Sequence, residues 1–233
     1  MPRLTLAACA VGLTAAAAGA QTATPRAFVT RRGADTVVVE QVDRAADGTV
    51  LSQLSFRGGG APAGLRASAA YVTTPDARVR RATIEVTPPG ANAPAQRVTM
   101  TFGAAPGDSV EVQVGTAAAQ RVPAAPGALP FGDLSVASWE LIIHRARALG
   151  GGTLRATTVP VFIGPGRPAI TASVAPLGAD SVVLTMNGIE VRARLAAGDQ
   201  IVGMRIPSQN VVVEPLDPRA AAAAIAAPAP PNY

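Results

Sequence analysis

The chain has 233 residues, 48% of them hydrophobic, 15% charged and only 3% aromatic, which is the size and makeup of one globular domain behind an export signal. All twenty basic residues are arginine, and Cys9 and His144 are the only Cys and His; Schiff-base and pyridoxal-phosphate chemistry, phosphate loops ending in Gly-Lys-Ser/Thr, thiolate catalysis and Cys-type zinc sites are thereby excluded from the mature chain. The formal charge of +5 is scattered, without the clustered bases and interleaved aromatics of a nucleic-acid surface, so no nucleic-acid partner is expected.

Met1-Pro2-Arg3 is a short basic start, residues 4–18 are an uncharged apolar run, and Ala18-Gly19-Ala20 is a small-x-small site before Gln21. This is the pattern of a secretory signal peptide cleaved after Ala20, which places the mature protein in the periplasm or outside the cell. Leu6-Ala7-Ala8-Cys9 has the form of a lipoprotein cleavage box, but it leaves a hydrophobic region of about five residues where a signal uses roughly 7–15. No later stretch reaches about 18 apolar residues, so no transmembrane segment is expected in the mature chain.

After a short lead at 21–26, alternating segments separated by Gly, Pro, Asn and Asp recur nearly to the end, the signature of an all-β domain over 27–214. The expected strands are 27–32, 35–44, 49–57, 65–74, 78–87, 96–103, 109–114, 116–122, 153–163, 168–176, 181–186, 189–195, 200–206 and 210–214. Val98, Met100 and Phe102 share one face while Arg97, Thr99 and Thr101 take the other, so one side of the sheet is dry and one wet. Asn187-Gly188 fits both positive-φ positions of a type I′ hairpin turn. One segment departs from period two. From 133 to 149, Leu134, Ala137, Ser138, Leu141, Ile142, Ala146 and Leu149 fall at helical spacing before Gly150-Gly151-Gly152 stops the run. Asp133 or Ser135 can cap this helix, and its Leu134, Leu141, Ile142 and Leu149 stripe is expected to face the sheet. The Ala- and Pro-rich segment 215–233 is expected to be a disordered tail.

The chemistry-bearing residues are few. His144 is the sole imidazole, with Glu140 one helical turn earlier. A hydrolase would need His144 beside an activated serine, or a pair of carboxylates that meets only in the fold. No Gly-x-Ser-x-Gly elbow is present, and Gly164-Pro165-Gly166-Arg167-Pro168-Ala169 lacks the following helix that a dinucleotide loop requires. The fifteen acids are isolated, with no Asp-x-Asp-x-Asp-Gly loop, so no metal and no cofactor is expected. No catalytic residue is therefore assigned. Trp139 and Ile143 lie beside the helix stripe, where they would rim any cavity left between helix and sheet. Arg81 and Arg97 come close together if their strands pair as a hairpin, and would then offer an anionic contact.

The export signal, the long alternating strands and the single helix introduced by Ala128-Leu129-Pro130-Phe131 resemble secreted bacterial domains of unknown function, most of all the periplasmic β-spiral or β-clam proteins of the cell envelope. The likeness spans about residues 27–214. It implies a mainly β fold, a curved antiparallel sheet forming a clam, spiral or open barrel with one substantial helix packed on it. The expected function is a noncatalytic binding module for a hydrophobic small molecule, lipid or envelope polypeptide. The alternative is a secreted hydrolase using carboxylates or Ser with His144.

Overall fold

The computed structural model describes residues 25–90, 94–103, 109–124, 128–132, 134–150, 154–160 and 170–227, with side chains for all of these except 154–160 and 170. The expected export signal with Cys9, the expected Asp133 cap and the Gly164-to-Ala169 segment lie outside the described residues. The strands are β1 (Arg26–Arg32), β2 (Asp35–Arg44), β3 (Val50–Phe56), β4 (Arg66–Thr73), β5 (Val79–Thr87), β6 (Gln96–Phe102), β7 (Val110–Val114), β8 (Gln120–Val122), β9 (Leu129–Phe131), β10 (Leu154–Pro160), β11 (Ile170–Pro176), β12 (Ser181–Met186), β13 (Ile189–Ala196), β14 (Gln200–Ile206) and β15 (Val211–Leu216). Two helices accompany them, α1 (Val136–Ala148) and α2 (Pro218–Ala226).

All fifteen strands form one sheet, in the order β8-β7-β6-β5-β4-β3-β2-β1-β15-β14-β13-β12-β11-β10-β9. Every adjacent pair in this order is antiparallel except β9–β10, and every pair is consecutive in the chain except β1–β15. The sheet is open, with β8 and β9 at its two ends, and it curls far enough that β9 touches β5 without pairing to it. Asn187 and Gly188 both take positive φ, 50° and 77°, and register Met186 against Ile189 as the Asn-Gly turn predicts.

The parallel pair explains where α1 lies. Parallel strands cannot be joined by a tight turn and need a crossover, and α1 is the crossover from β9 to β10. It runs through the hollow of the curled sheet, touching β2, β3, β9, β10, β11 and β14. Every residue from Val136 to Ile143 is buried, so the first two turns are enclosed on all sides. The expected single stripe over an open sheet is thus corrected: Leu134, Leu141 and Ile142 are buried as anticipated, but Leu149 is 53% exposed beyond the helix end.

The inner face of the sheet can be read across the ladders. Phe28, Glu40, Leu54, Ala67 and Val86 form one cross-strand row; Arg26, Val42, Ser52, Ala69, Ile84 and Val98 form the next. Ala67, Ala69 and Ala82 are the small inner-face residues of β4 and β5, where Tyr71 reaches across to Ser138 of the helix, and Val, Leu and Ile fill most of the remainder.

The tail differs from the expectation. β15 continues to Leu216, and α2 packs on the outer face of β1 to β3, where Ala27, Val39 and Ala221 form a second small core with Leu216, Ala224 and Ile225 around it. Asp217 caps the helix by accepting from the Arg219 and Ala220 N–H groups at 3.0 Å each. Arg57 and Arg66 donate to its last carbonyls, Arg57 to Ala224 and Arg66 to Ala226 and Ala227. A run of alanines has little to bury alone, but it packs against Ala27 and Val39 of the outer face, and guanidiniums at the C-terminus satisfy the orphan carbonyls with the favoured charge.

Candidate functional site

Two polar clusters hold α1 inside the sheet. The first is built on Glu40, which stands between Val38 and Val42 on the inner face of β2 and is 2% exposed. Its Oε1 accepts from Ser52 Oγ at 2.7 Å, Ser135 Oγ at 2.9 Å and the Ala137 N–H at 3.3 Å, and its Oε2 accepts from the Val136 N–H at 2.5 Å. Ser135, the N-cap, also accepts from the Ser138 N–H at 3.4 Å. An acid on a strand therefore occupies the positive end of the helix and satisfies donors that the helix itself leaves free.

Burial pushes the Glu40 carboxyl up to about 7, against the lowering effect of its hydrogen bonds from Ser52, Val136, Ser135 and Ala137. Because the folded value lies above the ordinary 4.5, the folded state binds this proton more tightly than the unfolded chain. The group is neutral to stability below pH 4.5 and weakens the fold as pH rises through 7, by roughly 3 kcal/mol in total. Glu40→Gln is expected to gain about that much stability relative to the parent as pH rises across this window, whatever its offset in acid. Urea midpoints measured from pH 4 to 8 check this, and parallel curves for the two proteins would reject Glu40 as the titrating group.

The second cluster is centred on Glu140, which is fully buried. Arg26 grips both of its oxygens, Nη1 to Oε1 at 2.6 Å and Nη2 to Oε2 at 2.8 Å. The Ile201 N–H adds 2.7 Å to Oε1, and Arg44 Nη2 lies 3.8 Å from Oε2. His144 is placed against this group, with Nε2 3.1 Å from Arg44 Nη2. A guanidinium only donates, so Nε2 accepts. Burial, then the Arg44 charge, hold the His144 imidazole below its usual range, opposed by Glu140 and Asp199. The lone pair a general base would use is thus engaged by Arg44, and among the described residues no serine hydroxyl bonds to His144. Glu140 orients Arg44 rather than the imidazole.

Past His144 lies a half-open cavity of about 500 Å³ lined by the buried Ile143, Ala146, Val174 and Val182, with the exposed Arg147, Gly150 and Pro176 at its mouth. Arg147 is tied to Asp199 at 2.7 Å. Of the two residues expected to rim a cavity, Ile143 lines this one. Trp139 does not: it is 2% exposed, and its ring meets Phe131 edge-on at 5.0 Å and 79°. Its Nε1 has no partner among the described residues.

Strands β5 and β6 do pair as a hairpin, but the register sets Arg97 opposite Glu85, with an ion pair of 2.8 Å, and Arg81 opposite Thr101. Four residues of ladder separate the two arginines, so they form no joint contact. Among the described residues no three His, Cys, Asp or Glu side chains gather as a metal site, and no helix is long and apolar enough to cross a membrane.

The residues that anchor the helix, Arg26, Glu40 and Arg44, escape a reading of the sequence for function. The available signal is the alternation Thr36, Val38, Glu40, Val42, Arg44, which puts two charges in line with an apolar face.

The molecule is therefore an open, largely antiparallel sheet curled around a helix, with a cleft at the helix C-terminal end whose buried wall is apolar. Its fold is similar to the crystal structure of a DUF1089 family protein from Pseudomonas aeruginosa, with a TM-score of 0.53 and 15% identity over 76% of this chain and 92% of that one. At such identity the likeness concerns the fold alone. No family model matches the sequence, and no curated protein matches it.

Proposed function

We propose that this protein is an exported, noncatalytic binding module of the cell envelope that holds an apolar ligand, such as an acyl chain, in the cavity beside the end of α1. The observation that carries this reading is the chemistry of that cavity: its buried wall is hydrocarbon from Ile143, Ala146, Val174 and Val182. Its volume of about 500 Å³ falls within the range of roughly 300–1,000 Å³ typical of small-molecule sites. The interior titratable groups Glu40 and Glu140 are committed to holding the helix, while the apolar wall has no such duty. The export pattern at 1–20 supplies the address.

Native mass spectrometry of the protein purified from its own envelope tests both parts. The expected polypeptide mass begins at Gln21, with an apolar species that lipid extraction removes; a chain beginning at Cys9 with a diacyl adduct would refute cleavage after Ala20 and make the protein a lipid-anchored one. Filling the cavity tests the site. Ala146→Phe projects a ring into the cavity from the buried side of the helix, and is expected to weaken binding of an apolar dye about tenfold or more at a stability cost of about 1–3 kcal/mol, with circular dichroism checking that the variant is folded. Trp139→Ala, on the Phe131 side, is expected to leave dye affinity unchanged while costing about 3–5 kcal/mol of stability. Equal dye affinity in the parent and Ala146→Phe would reject the cavity as the site.

A further inference from the structure

The outer face of β13 to β15 carries a second cleft, on the opposite side of the sheet from the interior cavity. It has a volume of about 530 Å³, and Arg192, Arg194, Arg205, Gly203, Val212 and Glu214 line it. We propose that this cleft is a binding site for a phosphoryl group, independent of the apolar cavity.

The first observation is electrostatic. Arg192 and Arg205 are register partners on adjacent strands, so two guanidiniums stand directly opposite on one face. Arg205 pairs in turn with Val212, and Val212 with Arg31, which extends the same row. Like charges placed opposite across a ladder destabilise it unless something compensates them. The compensation present is partial. Arg192 meets Glu190 at 2.6 Å, and Arg31 lies a loose 3.8 Å from Glu214. Arg194 and Arg205 have no ion-pair partner among the described residues. Four guanidiniums thus face two carboxylates.

The second observation concerns the cleft floor. Arg194 pairs with Gly203, and the ladder slips immediately afterward, so that Leu195 pairs with Ile201 and Val202 is the extra residue of a bulge. Bulges re-aim neighbouring side chains and collect at sites of function. Gly203 is not required by crowding. A Cβ there would meet Arg194 Nη2 at 3.5 Å, Arg194 Nε at 3.7 Å and the Val213 carbonyl at 3.7 Å, all ordinary contacts. A glycine inside a strand marks a place where something approaches the backbone closely. Here the missing side chain lets the Arg194 guanidinium lie directly across the backbone at the cleft floor, so a branched side chain at 203 would push it out of place.

The chemistry of the occupant follows from the donors. Guanidiniums carried by different strands, whose backbones are about 5 Å apart, are best met by an anion whose acceptor oxygens point in more than two directions. A tetrahedral phosphoryl group has these, whereas a carboxylate has two oxygens in one plane. The phosphoryl group can belong to a lipid headgroup or to a soluble phosphate ester.

The test uses the mature full-length protein in four forms: the parent, R194Q/R205Q, G203V and a control, R80Q/R81Q, that removes the same charge from exposed positions on β5. Two probes separate the sources: glycerol 3-phosphate by calorimetry, and cosedimentation with phosphatidylglycerol vesicles against phosphatidylcholine vesicles. The parent is expected to bind at least one phosphoryl probe, more weakly as salt rises. R194Q/R205Q should lose about tenfold or more and G203V a comparable amount, while R80Q/R81Q stays within about threefold. Binding of vesicles alone identifies a headgroup, and binding of both probes identifies a site open to soluble esters. Equal losses in R194Q/R205Q and R80Q/R81Q would reduce the effect to bulk charge and overturn the proposal, as would failure of the folded parent to bind either probe.

Discussion

Leu141→Asp is expected to abolish folding. Leu141 is 2% exposed in the second turn of a helix surrounded by sheet. An unpaired carboxylate there has no route to water, since the helix has no solvent side at this level. Burying it costs several kcal/mol, and the lost leucine contacts add about 2 more, against a total margin of about 5–15 kcal/mol for a domain. The comparison that gives the result meaning is Leu149→Asp on the same chain segment. Leu149 is 53% exposed, and the expected loss is below about 1 kcal/mol, mostly from a negative charge at the helix C-terminus. Circular dichroism and chemical denaturation of both variants decide the matter. A cooperatively folded Leu141→Asp of near-parent stability would show that the helix is not enclosed.

Most strands were legible because one face is wet and one dry, and period two survives in the sequence wherever that holds; β1 and β2, buried on both faces beneath α2, were marked by β-branched runs and the turns that bound them. Strands 35–44, 181–186 and 200–206 stand as the alternation and turn residues place them. The environment of α1 was less legible. A helix that serves as the crossover inside a curled sheet is apolar on several sides, and Trp139, Glu140 and Ile143 fall outside the stripe yet are buried. Periodicity reports that one face is dry; it cannot report that the polar remainder is enclosed as well. The parallel strand β9 has three residues, one of them Pro130, which is too short for any alternation. Helix α2 carried a readable start in Asp217-Pro218, an N-cap followed by proline at the first helical position. Its stability comes from Arg57, Arg66 and the outer face of β1 to β3, between about 160 and 195 residues away in sequence.

The cavity was partly visible, through Ile143, because a residue next to a helix stripe is a natural rim. Its other walls, Val174 and Val182, come from β11 and β12, and nothing local in those strands distinguishes them from other dry-face valines. The Arg194–Gly203 cleft was hidden for a different reason. It depends on a bulge and on which arginines stand opposite each other, and register appears only when the ladder is known.

Glu140→Ala is expected to cost about 3–5 kcal/mol, the usual penalty for removing one partner of a buried ion pair. The Glu140 carboxylate is fully buried and takes both arms of Arg26 together with the Ile201 N–H. Without it, Arg26, whose side chain is 23% exposed, can turn only partly toward water. The Ile201 N–H, at the start of β14, loses its acceptor, and Arg44 and His144 lose the negative charge beside them. The last effect has a separate readout. Glu140 raises the His144 value, so in Glu140→Ala the imidazole should titrate lower still, which NMR of the single histidine reports without interference. His144 remaining neutral in the fold makes its contribution to stability fall as the solution is acidified below the ordinary imidazole value of 6.5, and Glu140→Ala should deepen that loss. The pair itself is expected to be dispensable when both partners go. Arg26→Met with Glu140→Leu removes the charges and keeps the volume, and should recover most of the stability, because two desolvated charges are replaced by packed hydrocarbon. A double variant as unstable as Glu140→Ala alone would mean that the cluster fixes the position of α1 through the Ile201 N–H, and that the arginine is secondary to it.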